Sequence, residues 1–188
     1  MKQPAREQID IDNGRRKFIQ ACVGTAAAFA STPLWSAVNP LPERSLSFLS
    51  LHTGESVKVT YWSENSYLDT ELKMINEVLR DHRTGDIYPI DQRLLDQLFL
   101  LKNSIGTSHP FHVISGYRSP KTNQKLRSKS NGVAKRSLHM QGKAIDIRVP
   151  GIELTDLRDA AKSLKMGGVG YYAKSNFIHI DTGRVRYW

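Results

Sequence analysis

The alternation and spacing of apolar positions divide the chain into short elements. Apolar and β-branched residues over 46–51 and 57–62 predict two strands around the turn Thr53-Gly54-Glu55. Leu72, Ile75 and Leu79 recur at helical spacing and predict a helix over 71–82. Asp91 is a natural cap for a second helix through Asn103, with Leu94, Leu95, Leu98 and Phe99 inward. A short strand over 111–115 ends at Gly116. Pro120 then stands where the first turn of a helix tolerates proline, and that helix continues over 121–129. The basic, glycine-punctuated stretch 130–143 is predicted to be a loop, and 144–149 a strand. Thr155 is the predicted cap of a helix to about residue 165, with Leu157, Ala160, Ala161 and Leu164 inward. Short strands over 167–172, 177–181 and 185–187 complete the chain, and there is no internal repeat. Helices early and an antiparallel meander late predict an α+β domain, an antiparallel sheet with flanking helices.

The first thirty residues follow a different pattern. Polar residues over 1–13 lead into Gly14-Arg15-Arg16-Lys17-Phe18-Ile19, and then into a mildly apolar run over 21–30 rich in Ala and Gly. Paired arginines before a weakly hydrophobic run resemble a twin-arginine export signal. Ala28-Phe29-Ala30 and Ser36-Ala37 each offer a small-residue cleavage point. The run is too short for a membrane span, which needs about 20 apolar residues. The expected organisation is a signal segment over 1–30, a proline-containing connector over 31–43 and a domain over 44–188, exported to the periplasm.

Length and composition narrow the chemistry. A chain of 188 residues can bury a normal core without staples, so a metal here would serve chemistry rather than replace a core. The one cysteine, Cys22, lies in the export segment. The domain therefore has no disulfide, no thiolate ligand and no thiolate nucleophile. The net charge is +9, and no Asp or Glu occurs between Asp96 and Asp146. That stretch carries Lys102, Arg118, Lys121, Lys125, Arg127, Lys129, Lys135, Arg136 and Lys143. Such a field attracts anions: nucleic acid, anionic lipid or carboxylate-rich peptides. A plain solvated basic face is an equal alternative for any single charge.

Strand parity brings in the metal. In 144–149, Ile145, Ile147 and Val149 share one face, while Ala144, Asp146 and Arg148 share the other. In 177–181, Ile178 and Ile180 point together, and Phe177, His179 and Asp181 point oppositely. If these strands are neighbours, Asp146, His179 and Asp181 share a face, and His139 can fold back over it through Gly142. Two imidazoles and a carboxylate suit a catalytic metal with an open position. Taken singly, a hydrogen-bonded histidine or an aspartate in a turn explains each residue equally well.

The segment Ser137-Leu138-His139-Met140-Gln141-Gly142-Lys143-Ala144-Ile145-Asp146, followed by a late histidine, resembles the zinc peptidases that share a fold with hedgehog and the D-Ala-D-Ala peptidases. Three blocks narrow the likeness to murein endopeptidases within that group. They are Ser115-Gly116-Tyr117-Arg118-Ser119, Gly167-Gly168-Val169-Gly170-Tyr171-Tyr172 and Phe177-Ile178-His179-Ile180-Asp181-Thr182-Gly183. The resemblance runs from about residue 46 to 188. It implies one zinc ion held by His139, Asp146 and His179. It implies Arg118 facing the oxyanion or a substrate carboxylate, with Ser115 and Tyr117 beside it in substrate binding. The implied substrate is peptidoglycan, cut at cross-links centred on diaminopimelate, including the 3-3 type. Many relatives carry an acidic general base three residues before the last metal-binding histidine; here that position is Asn176. Asp181 is the candidate for that role, or for orienting His179. His109 and His112 are left out of the ligand set, and Tyr171, Tyr172 and Trp188 are read as packing or groove-wall aromatics. The rival readings are a non-catalytic zinc- or peptidoglycan-binding domain, a carboxypeptidase, and a nucleic-acid binder, against which the export signal argues. A monomer without nucleic-acid partner or membrane span is expected.

Overall fold

Large apolar side chains at every second position build one eight-stranded sheet, in a computed structural model that describes residues 43–130 and 132–188. The expected export segment over 1–30 and all but the last residue of the expected connector over 31–43 lie outside the described residues. In chain order the elements are β1 (Arg44–Ser50), β2 (Ser56–Ser63), β3 (Ser66–Tyr67), α1 (Asp69–Val78), α2 (Gln92–Ser104), β4 (Phe111–Ser115), α3 (Pro120–Arg127), β5 (Ala144–Arg148), α4 (Leu154–Ser163), β6 (Gly168–Tyr172), β7 (Phe177–Asp181) and β8 (Arg186–Tyr187). Single 3-10 turns at Leu138–Gln141 and Ala173–Ser175 precede β5 and β7.

The strand order is β3-β2-β1-β4-β5-β7-β6-β8. Pairing is antiparallel except where β1 meets β4 and β6 meets β8. The first parallel joint follows from the long excursion through β2, β3, α1 and α2 before the chain returns beside β1, since a parallel neighbour requires a crossover. The fold is α+β as expected, with a mixed sheet. Leu46 and Phe48 of β1, Ile145 and Ile147 of β5, and Ile178 and Ile180 of β7 are fully buried in one core. Ile75 of α1, Leu94, Leu95, Leu98 and Leu101 of α2 and Leu157 of α4 complete it. Each such side chain contributes about 1.5–3 kcal/mol of burial energy.

Helix starts follow the sequence closely. Asp91 caps α2 by accepting from the Arg93 amide at 3.0 Å, and Ser119 caps α3 through the Thr122 amide at 3.2 Å, with Pro120 in the first turn. Two expectations change. The cap of α4 is Glu153 rather than Thr155, which lies inside the helix. Helix α1 stops at Val78 rather than running to residue 82, because the polar groups of 79–81 are engaged elsewhere. The Leu79 carbonyl accepts the Tyr117 amide at 2.7 Å, and the Asp81 carboxylate accepts the amides of Arg83 and Ser119, each at 2.9 Å. Among the described residues no helix is long and apolar enough to cross a membrane.

Asp96 of α2 ties the first three strands to the helix layer. Its carboxylate accepts from Arg44 of β1 at 2.7 Å, from the buried Tyr61 hydroxyl of β2 at 2.9 Å and from the Tyr67 hydroxyl of β3 at 2.7 Å. Burial and Asp96 together push the Tyr61 pKa well above its ordinary value. Asp96→Ala strands that hydroxyl without an acceptor and is expected to cost about 1–3 kcal/mol in urea denaturation, whereas Tyr67→Phe, on the less buried ring, should cost less.

Candidate metal centre

The register of two central strands decides the site. β5 and β7 are antiparallel neighbours with Asp146 opposite His179 and Ile145 opposite Ile180. With the isoleucines in the core, both polar side chains stand on the other face. His139 reaches the same face from the 3-10 turn, which Gly142 ends at φ 64°, a left-handed conformation suited to glycine. Gly142 is also pressed against the carbonyl of Pro89, so a side chain there would have no room.

Three atoms converge. His139 Nε2 lies 3.2 Å from His179 Nδ1, and Asp146 Oδ1 lies 2.9 Å from the latter and 3.3 Å from the former. The other ring nitrogen of each histidine fixes its tautomer. His139 Nδ1 donates to the Gly116 carbonyl at 2.8 Å, and His179 Nε2 donates to the Asp181 carboxylate at 2.9 Å. In its neutral form each ring therefore turns a lone pair toward the shared point, where a carboxylate oxygen adds a third; until a cation arrives, a proton on His179 Nδ1 is held there by Asp146. Three buried acceptors facing one another call for a cation. Their separations match the edges of a tetrahedral nitrogen and oxygen site, about 3.3 Å for bonds near 2.0 Å. The residues present thus fit a divalent metal with one position left for water or substrate.

The cluster lines a cleft of about 370 Å³, together with Arg118, Tyr172, Phe177 and Trp188. Residues 39–188 match the family described as peptidoglycan L,D-endopeptidase MepK. The chain belongs to the MepK family. The peptidoglycan L,D-endopeptidases MepK of Escherichia coli K12 and of Shigella flexneri are each 44% identical to it over 178 residues, 94% of this chain and 98% of theirs. A probable peptidoglycan L,D-endopeptidase MepK of Haemophilus influenzae is 36% identical over 181 residues, 95% of this chain and 97% of its own.

Around His139, Asp146 and His179 the supporting groups are unevenly exposed. Asp181 is fully buried. Besides His179 it accepts from the amides of Gly168 and Gly183, at 3.1 and 2.9 Å, and from both terminal nitrogens of Arg186, at 3.0 and 2.7 Å. Burial opposes its charge, but His179 and Arg186 outweigh that and hold its pKa far below the usual carboxylate range. Asp146 is depressed in the same way: burial opposes the charge, and His139 and His179 prevail. Arg118 lies beside the triad, with Nη2 3.6 Å from Asp146 Oδ2 and 3.4 Å from Ser115 Oγ. Its buried Nε has no partner among the described residues. Ser115 thus supports Arg118. Tyr117 does not line the cleft: its ring is buried and stacks on Tyr88 at 5.0 Å. Asn176 takes the left-handed conformation, φ 53°, in the β6–β7 connection, a backbone role for which asparagine is well suited. Of the cations in the acid-free stretch Arg118 alone lines this cleft, while Lys121 and Lys125 line a separate groove with Arg83.

Sequence reading missed Arg186, the partner of Asp181. Its signal is the glycine on the metal face of β6: a Cβ at Gly168 would collide with the Arg186 guanidinium.

Burial works against a charged His179, yet Asp146 and Asp181 raise its pKa from 6.5 to about 9 in the metal-free protein. A raised pKa stabilises the fold fully below the unfolded value and is lost as pH rises through the folded one. The metal-free protein is therefore expected to lose thermal stability between pH 6.5 and 9, and the metal-loaded protein, with the proton displaced, to show no such decline. Calorimetry of both forms across this range checks it. Asp181→Ala should weaken metal binding about 10–100-fold, measured by competition with a chromophoric chelator.

Proposed function

We propose that the chain is a zinc-dependent peptidoglycan endopeptidase that hydrolyses peptide cross-links centred on diaminopimelate, including the 3-3 type. The observation that carries this reading is the meeting of His139 Nε2, His179 Nδ1 and Asp146 Oδ1 within 3.3 Å of one another in an open cleft. Two imidazoles and one carboxylate suit zinc, and an unfilled position suits catalysis rather than a closed structural site. When bound, zinc supplies a Lewis acid that polarises an amide carbonyl and activates water. The names of the MepK relatives support peptidoglycan as the substrate and the periplasm as the compartment. The Arg15-Arg16 pair supports twin-arginine export.

The chain's own residues then divide the work. His139, Asp146 and His179 hold the metal. Arg118 keeps unpaired donor capacity beside Asp146, placing a guanidinium where a substrate carboxylate or a developing oxyanion would sit. Asp181 serves as the orienter of His179 rather than as a base, because its oxygens are fully engaged and shielded from the cleft. The alternative, a peptidoglycan-binding domain without turnover, draws on the amide at Asn176.

Purified protein incubated with cross-linked muropeptide dimers is expected to yield monomers and new amine termini, to stop with a chelator and to resume with added zinc. Release of terminal D-Ala from monomers with dimers left intact would indicate a carboxypeptidase instead. Binding without cleavage would indicate the non-catalytic domain. His139→Ala should abolish turnover, and Arg118→Ala should lower kcat/KM about 10²–10³-fold with metal content unchanged.

A further inference from the structure

The metal face of β6 carries Gly168, Gly170 and Tyr172 in alternate positions, so its first two places have no side chain. Other residues occupy that space. Arg186 lies over Gly168, and Trp188 over Gly170, where a Cβ would meet the indole at 2.7–2.8 Å. The indole stands 5.4 Å from the His179 ring and donates from Nε1 to the Tyr172 hydroxyl oxygen at 2.9 Å. An indole N–H can only donate. The phenol oxygen is therefore the acceptor, and its own proton has no protein acceptor among the described residues. Stacking on Phe177, at 4.7 Å between ring centroids, fixes the ring.

Sheet order gives this hydroxyl its place. The pair β5-β7 carries Asp146 and His179, with β4 on one side and β6 on the other. Arg118 follows β4 and Tyr172 ends β6, and both line the cleft. A peptide laid over the metal ligands therefore meets a guanidinium from one flank and a phenol from the other.

We infer that Tyr172 is a catalytic hydrogen-bond donor to the carbonyl oxygen of the amide being cut, and that Trp188 is its positioning residue. This rests on the peptidase reading. No proton is transferred: the O–H···O bond strengthens as negative charge gathers on the oxygen and relaxes when the C–N bond breaks. Trp188 holds the phenol oxygen from behind, so the hydroxyl hydrogen turns toward the substrate and not back to the protein.

The test uses the full-length, zinc-loaded protein on cross-linked muropeptide dimers, with a phosphinate analogue of the scissile amide as a second probe. Tyr172→Phe is expected to lower kcat about 10²-fold with KM little changed. Phosphinate affinity should fall by the same factor as kcat/KM, while zinc content and Tm match the wild type. Trp188→Phe should give a smaller loss, and the double variant should be no worse than Tyr172→Phe alone, the non-additivity of residues acting as one unit. A Tyr172→Phe protein with kcat within about twofold of wild type, or one that fails only because it loses zinc, overturns the inference. Additive losses in the double variant overturn the role of Trp188. Absence of turnover by the wild type would count against the peptidase reading alone, and the phosphinate affinity of Tyr172→Phe would still decide the inference.

Discussion

The pairing of β5 with β7, Asp146 against His179, is the constraint from which the rest of the centre follows. Strand parity is all-or-none: a slip of β7 by one residue would send His179 into the core and its isoleucine neighbours into the cleft. Ile145, Ile147, Ile178 and Ile180, all fully buried, make that slip prohibitively costly. The same apolar contacts that stabilise the fold thus aim the side chains of the candidate metal centre, and the helices packed on the core hold the register from behind.

A second tier of contacts converts aim into chemistry. The Gly116 carbonyl and the Asp181 carboxylate each accept a hydrogen bond from one histidine ring, so that in the neutral rings the facing nitrogens carry lone pairs. Arg186 in turn neutralises Asp181, which leaves that carboxylate free to act on His179 while remaining out of reach of solvent. A buried charge set of this kind is stable only when every member is paired, and here the remaining need for positive charge falls at the meeting point of the three ligand atoms.

Much of this was legible in the sequence. The alternation in Ile145-Asp146-Ile147 and Ile178-His179-Ile180 separates core from site, and Gly142 marks where the chain must double back. The caps at Asp91 and Ser119 are local signals, readable one turn at a time. What escaped notice depends on long-range packing. The early end of α1 is set by Tyr117 and Ser119, some 38 residues downstream, and no local periodicity reports it. The retreat of Tyr117 from the cleft follows from its stacking on Tyr88, a contact across two loops. Arg186 and Trp188 occupy spaces vacated by Gly168 and Gly170, so their roles appear only once β6 and β8 lie side by side.

The segment that presents Arg118 and the turn that presents His139 are clasped reciprocally: the Arg118 amide donates to the His139 carbonyl, and the His139 ring donates to the Gly116 carbonyl. The proposed grip on an ion and the proposed grip on the incoming peptide therefore share one fastening. Such a jaw cannot widen on that side without disturbing the His139–Asp146–His179 cluster, so a homologue evolving toward a bulkier partner would have to remodel the aromatic wall of Tyr172, Phe177 and Trp188 instead.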